Sequence, residues 1–278
     1  MKKKRVVIIS IILLIVIILA AMFDTRLKIV EYDIQSSCLQ GQVRMALVTD
    51  LHSCFYGENQ HVLIDEIKSY NPHAVLLGGD IFDDVMDNTN SKILVSRLAE
   101  EYRTYYVSGN HEWWSEEMYD FFDYLEACGV TVLRGNSDAL KINEDIITIS
   151  GIDDPEVNRY DDTYTGWEEQ LKRVGQGLES ESFNVLLTHR PELAEQYFMY
   201  DFDVVLSGHA HGGQFRIPFV MNGFYAPNQG FFPELAGGEY DFDKGKLIVS
   251  RGLSVENFKL PRIFNRPELV FVTADSES

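Results

Sequence analysis

The pattern of this sequence predicts an α/β domain joined to one N-terminal membrane-crossing helix. Three observations carry that prediction. Five short β-prone runs each stop at a polar cluster, segments of helical length separate them, and the chain opens with an apolar run from Val6 to Phe23. At 278 residues the simplest division is an anchor with its basic flank over residues 1–23 and one compact domain over 24–278.

The apolar run is interrupted only by Ser10. As a helix it spans about 27 Å at about 1.5 Å per residue, close to a hydrocarbon core of about 30 Å. A terminal run with no polar face argues against a buried core helix. A cleaved signal peptide is the rival, because Ala20 and Ala21 are small. Met22-Phe23-Asp24 offers no clear small-x-small site, however, and no lipid-acceptor cysteine follows. The expectation is an uncleaved, single-pass signal anchor in the cell membrane. Lys2, Lys3, Lys4 and Arg5 then stay in the cytoplasm and residues from Asp24 onward lie outside it.

The rest of the composition is that of a foldable globular chain, 45% hydrophobic and 24% charged, with a net charge of -19. Beyond the four basic residues of the flank, 20 Lys and Arg face 43 Asp and Glu. Such a surface repels polyanions, so nucleic acid is not an expected partner. Clustered carboxylates do suit cations. The three cysteines, Cys38, Cys54 and Cys128, fall in no disulfide framework or metal-binding spacing.

Within the domain, alternation from Leu27 to Ile34 predicts a first strand with one solvated face. Val43–Thr49, Ala74–Leu77, Thr104–Val107, Asn184–Thr188 and Asp203–Ser207 read as buried strands. They end, in turn, at Asp50-Leu51-His52, Gly78-Gly79-Asp80, Gly109-Asn110-His111-Glu112, His189 and Gly208-His209-Ala210-His211. Helices are expected over Gln60–Tyr70, Ser91–Glu101, Met118–Cys128 and Trp167–Val174, with a crossover of strands and loops over Ser137–Tyr164. Lys246–Ser250 and Leu269–Thr273 read as late strands. α/β folds place their sites at the carboxyl ends of such strands, so the five clusters should meet.

Five of the seven histidines lie in those clusters; His61 and His73 do not, and read as ordinary surface or helix-end residues. A single clustered histidine is more often structural than a ligand. Five together, beside Asp50, Asp80 and Asn110, would cost several kcal/mol to desolvate without a metal or a reaction to use them.

Those blocks, taken in order and with Asp83 completing Gly79-Asp80-x-x-Asp83, resemble the five signature blocks of calcineurin-like metallophosphoesterases. The resemblance runs from about Val43 to His211. Gly212-Gly213-Gln214 with Pro218, Ser250-Arg251-Gly252-Leu253 and Arg266-Pro267-Glu268 are similar to the membrane-anchored bacterial branch. Asp84-Val85 stands where protein Ser/Thr phosphatases continue with Arg-Gly, which disfavours a phosphoprotein substrate. Glu112 replaces the usual Asp, and the resemblance gives that position no ligand role.

The resemblance implies a two-sheet, four-layer α/β/β/α sandwich and a metal-dependent phosphoric ester hydrolase. It implies one divalent ion on Asp50, His52 and His211, a second on Asn110, His189 and His209, and Asp80 bridging both. Oxygen and nitrogen donors without thiolate suit Mn, Fe or Zn. Two such ions clamp phosphoryl oxygens and activate water, so no protein nucleophile is needed. His111 is implied as the acid for the leaving oxygen, with Asp83 orienting it; Asp83 could also simply cap the next turn. The expected substrate is a small-molecule or lipid-linked phosphomonoester or diester of the cell envelope. Asn222–Pro233 reads either as an aromatic lip for such lipids or as a packed loop, and Arg190, Arg216 and Arg251 as phosphate clamps or surface salt bridges. A catalytically silent scaffold at the membrane is the alternative function, and complete ligand blocks argue against it.

Overall fold

Parallel strands buried on both faces must be covered by helices on one side and by a second layer on the other. The computed structural model describes residues 2–255 and 261–277 and has that architecture. Met1, at the start of the expected anchor segment, lies outside the described residues.

The strands are β1 (Lys28–Ser36), β2 (Val43–Val48), β3 (Ala74–Gly78), β4 (Arg103–Val107), β5 (Thr131–Val132), β6 (Asn136–Ile142) and β7 (Asp145–Gly151). They continue as β8 (Phe183–Leu187), β9 (Val204–Ser207), β10 (Tyr225–Ala226), β11 (Gly230–Phe231), β12 (Gly238–Phe242), β13 (Gly245–Val249) and β14 (Glu268–Ser276). One six-stranded sheet has the order β1-β14-β2-β3-β4-β5 and the other β12-β13-β9-β8-β7-β6; β10 and β11 form a separate hairpin. The strands that end in polar clusters are parallel within each sheet: β2, β3 and β4 in the first, β8 and β9 in the second.

The pleat divides the core. Met45 and Leu47 meet Ile147, Val185, Leu187 and Leu206 between the sheets. Their neighbours Ala46 and Val48 share the outer cluster with Leu63, Ile67, Leu94 and Leu98. Each fully buried Leu or Ile contributes roughly 1.5–3 kcal/mol. Helices α1 (Lys2–Met22), α2 (His61–Tyr70), α3 (Thr89–Glu101), α4 (Asn110–Trp114) and α5 (Met118–Ala127) precede α6 (Val157–Tyr160), α7 (Trp167–Gln176) and α8 (Ala194–Tyr197). Among them α3 packs on β4, α5 on β5 and α7 on β6, so helices cover both sheets. The four-layer sandwich is as expected.

Differences lie at the ends and in the crossover. The helix expected from Gln60 starts one residue later, because Gln60 is left-handed (φ 59°). Its side chain accepts the Tyr56 N–H at 2.7 Å and donates to the Cys54 carbonyl at 2.9 Å. The 137–164 crossover contains the β6–β7 pair and the single turn α6. Cys54 is buried and Cys38 and Cys128 are free thiols. His73 caps β2, its Nδ1 accepting the Arg44 N–H at 3.0 Å.

Helix α1 is long and apolar enough to cross a membrane, and its apolar side chains from Val6 to Leu19 are exposed. Its last turn touches the domain, where the Met22 carbonyl accepts the Phe264 N–H at 2.9 Å.

Candidate metal centre

Each parallel strand near the middle of the sandwich delivers its polar cluster to the same edge. Asp50 and His52 follow β2, Asp80 follows β3, Asn110 and His111 open α4 after β4, His189 follows β8, and His209 and His211 follow β9. The two sheets are joined there: Asp80 Oδ2 lies 3.1 Å from His189 Nε2, and the His209 N–H donates to Asp50 Oδ1 at 2.9 Å. All seven expected ligands are buried.

Donor atoms fall into three sets, each within 4.8 Å: Asp50, His52, Asp80 and His211 form one, Asp80, His189 and His209 a second, and His52, Asp83 and His111 a third. Asp80 belongs to the first two. Each imidazole has one nitrogen held by the protein, which turns the other toward the centre. His52 Nδ1 is held by Asp83 at 2.8 Å, His189 Nδ1 by the Gly78 carbonyl at 2.9 Å and His211 Nδ1 by Ser254 Oγ at 3.3 Å. His209 is turned the other way, with Nε2 on Asn228 Oδ1 at 2.9 Å and Nδ1 facing His189.

The backbone is strained to achieve this. Asp50, His52, Asp80, His209 and His211 all have φ between 46° and 64°, at a cost of roughly 1–2 kcal/mol each. Gly79, at φ 86°, is one glycine the site needs, since a Cβ there would lie 2.6 Å from His189 Nδ1. Glu112 ties the strand ends together. Its Oε2 accepts the N–H groups of Asp80 and Gly109 and its Oε1 those of Ile81 and Phe82, at 2.8 to 3.1 Å.

Burial alone would raise the Asp80 pKa, but His189, His111 and His52 around it hold the carboxyl well below its ordinary value. Burial pushes Asp50 up, against the pull of His189. Burial also holds His209 and His211 far below the usual imidazole value, His209 with help from His189 and His211 with help from His52. These two rings are therefore neutral, the form that ligates metal.

His111 belongs to neither the Asp50 set nor the His189 set, but clusters with His52 and Asp83. Its backbone N–H donates to Asp80 Oδ1 at 2.9 Å, while its ring Nδ1 contacts Asp84 Oδ1 at 2.6 Å. Asp83, expected to orient His111, lies 3.8 Å from that ring and instead holds His52. The reason is local: Asp83 Oδ1 accepts the N–H groups of Val85 and Met86, fixing the carboxylate in a turn whose other oxygen points at β2's histidine. It therefore caps the turn as well. Burial tends to lower the His111 pKa, yet Asp80, Asp84 and Asp83 together raise it.

A cavity of about 260 Å³ opens beside these groups, lined by Asp80, Asn110, His111, Trp114, His209, Arg190, Pro227 and Asn228 among others. Arg190 and Arg251 are not surface salt bridges. Arg190 is buried against Asp154 at 2.6 and 2.9 Å, and Arg251 against Glu268 at 2.8 Å; Arg216 is spent on Asn222. Of the three, only Arg190 reaches the cavity.

The sequence model of the calcineurin-like phosphoesterase family matches residues 43–213, the stretch that holds every one of these clusters. The chain belongs to that family. A metallophosphoesterase of Campylobacter jejuni is 30% identical over 266 residues, covering 88% of this chain and 62% of that protein. A transmembrane protein with a metallophosphoesterase domain from Danio rerio is 27% identical over 214 residues, covering 71% of this chain and 48% of its own length. This chain thus spans about half to three-fifths of the length of such relatives. Among solved structures, the NAD nucleotidase of Haemophilus influenzae superposes with a TM-score of 0.52 at 17% identity, over 77% of this chain and 46% of that one. That likeness shows the fold. The apolar helix and the transmembrane relatives together point to membrane anchoring.

The residues present fit divalent metal. The donors are carboxylate, imidazole and amide, without thiolate, and Asn110 Oδ1 is buried with no hydrogen-bond partner among the described residues. Four contributors to this candidate centre escaped the sequence reading: Asp84, Glu112 as a backbone tie, Asn228 and Trp114. Only Asp84 and Glu112 carried any signal, as acids inside the signature blocks.

Proposed function

We propose that this centre holds two divalent cations and hydrolyses a phosphomonoester or phosphodiester of a lipid-linked or cell-envelope metabolite. The observation that carries the reading is the sharing of Asp80 by the Asp50 and His189 donor sets. Asp50, His52 and His211 would hold one ion with Asp80, and Asn110, His189 and His209 the other. Mn, Fe or Zn suits these donors. When bound, such ions supply Lewis-acid charge to the phosphoryl oxygens and activate water.

The chain's own residues do the rest. His111, with Nδ1 held by Asp84, presents its remaining nitrogen as proton donor to the leaving oxygen. Asp83 positions His52, and Asn228 positions His209. Trp114, 4.8 Å from the His111 ring, shields one side of the cavity. Exposed Tyr225, Phe231 and Phe232 flank the Pro227–Asn228 rim, which supports a lipid-linked substrate over a fully soluble one. Residues 24–278 would be the catalytic unit, and the basic flank of α1 supports a position outside the cytoplasm.

Metal content after gel filtration tests the bridge. Asp80→Asn is predicted to lose both ions, whereas His189→Ala chiefly weakens one. Two ions per chain in Asp80→Asn would refute the assignment.

A further inference from the structure

Outside α1, the loop that runs from Gln214 through the β10–β11 hairpin carries a cluster of exposed large apolar side chains. Ile217, Phe219, Val220, Phe231 and Phe232 are all at least half exposed, Phe219 completely so. Phe231 and Phe232 stand edge-on to Phe224, at 5.3 and 5.6 Å, so the rings form a patch held from beneath. A water-facing loop has no use for five such side chains together.

Its position says what covers it. The Met22 carbonyl, in the last turn of α1, accepts the Phe264 N–H, and the adjacent Ile263 pairs in parallel with Phe215. Neighbouring chains in such a pairing lie about 4.8 Å apart. The headgroup layer extends roughly 5–7 Å beyond the hydrocarbon on each side. The loop therefore begins within the headgroup layer of whatever bilayer α1 crosses.

Charge agrees. In a chain of net charge -19, the ground around the end of α1 carries Arg26, Lys28, Arg216 and Arg266. Arg266 donates to the carbonyls of Arg26 and Leu27, and Arg216 donates its N–H to Ile263. Burial lowers the Lys28 pKa, Glu268 opposes it, and Arg251, Arg216 and Arg266 nearby add to the lowering. Asp24 pairs with Arg26 and Arg266, and Glu234 is the acid beside Phe232. Cations remain in excess.

We propose that residues 215–232 form a membrane-docking surface: Ile217, Phe219, Val220, Phe231 and Phe232 enter the interface of the bilayer that α1 spans, and the neighbouring cations face anionic headgroups. The docked hairpin also carries Pro227 and Asn228, so the catalytic cavity opens at the membrane surface rather than into bulk water. This rests on the proposed membrane placement of α1, and its test separates the two.

The full chain is reconstituted in vesicles containing brominated phospholipids, with single tryptophans introduced and each spectrum taken against the unsubstituted chain. Ile12→Trp reports on α1, Phe219→Trp on the loop, and Met199→Trp, exposed and preceding β9 at the other end of its sheet, on bulk water. Docking predicts loss of emission at positions 12 and 219 and none at 199, with the loss at 219 larger when anionic lipid replaces phosphatidylcholine. Quenching at 12 but not at 219 overturns docking alone. No quenching at 12 overturns the anchor and docking with it. Equal quenching at 219 with and without anionic lipid overturns the role of the cations. Because the readout needs no turnover, an inactive preparation that still shows quenching at 219 counts against the phosphoesterase substrate reading and not against docking.

Discussion

His111 and Asp50 belong to the same edge of the fold and carry different kinds of work. Asp50 is sealed in the core of the centre, whereas the His111 ring keeps a quarter of its surface exposed at the cavity and takes its orientation from Asp84. Replacing His111 should therefore spare the metals. His111→Gln is predicted to retain both ions while alkyl phosphate esters slow by roughly 10²–10⁴-fold, the usual contribution of general acid catalysis. A nitrophenyl ester, whose leaving group is stable as an anion, should slow much less. Equal losses on both esters would assign His111 to charge stabilisation, and loss of an ion would make it a ligand. Asp83 shows why such assignments need coordinates. Two aspartates stand side by side after Phe82, and nothing in their order says that the first turns to His52 and the second to His111.

Two strand ends and one short helix are held in register by a single carboxylate. Glu112, in the first turn of α4, accepts four backbone N–H groups from the segments after β3 and β4. Burial and then Asp80 push its pKa up to about 8, against His189 and the amides of Phe82 and Gly109, which favour the anion. A glutamine there keeps one acceptor oxygen and turns an NH₂ toward two of the donors. Leaving a buried donor unpaired costs roughly 1–3 kcal/mol. Glu112→Gln is thus expected to lower the urea midpoint of the metal-free chain by an amount corresponding to two such losses, and to weaken metal retention as Asp80 shifts. An unchanged midpoint would show that the tie is dispensable. The β10–β11 hairpin acts similarly on the other sheet, since it supplies Asn228 to His209. No periodicity announces a two-residue strand, which is why that contribution was illegible beforehand.

Anchor and domain form one continuous piece at Met22 and Phe264, so the sidedness of α1 decides where the chemistry happens. The positive-inside rule predicts that Lys2 to Arg5 stay in the cytoplasm, so protease added to intact cells should remove the proposed catalytic unit while a cytoplasmic marker survives. Protection of the domain would reverse the orientation. A soluble form beginning near Asp24 would show a cleaved signal instead. The same junction limits how the sandwich can tilt, because β1 starts six residues after α1 and runs parallel to β14 from its first residue, Lys28 opposite Glu268.

Much of this protein was legible before any coordinates. Local chemistry sufficed for the apolar anchor, the buried strands and the polar clusters at their ends, because a strand's composition and its punctuation are properties of neighbouring residues. Asp50, His52, Asp80, Asn110, His111, His189, His209 and His211 could be placed at strand ends for the same reason, while their division into ligands and a proton donor came from the family resemblance. What stayed hidden depends on distance in the chain. The pairing of β1 with β14 joins segments some 240 residues apart, and parallel strands can be ordered many ways from the same local pattern. The handover of His52 to Asp83, of His111 to Asp84 and of His209 to Asn228 depends on which way a side chain turns after a left-handed backbone residue, and packing alone settles that. The exposure of Phe219, Phe231 and Phe232 belongs to the same class. An aromatic loop reads alike whether it is packed or bare, and only the surrounding fold determines which face of it meets solvent.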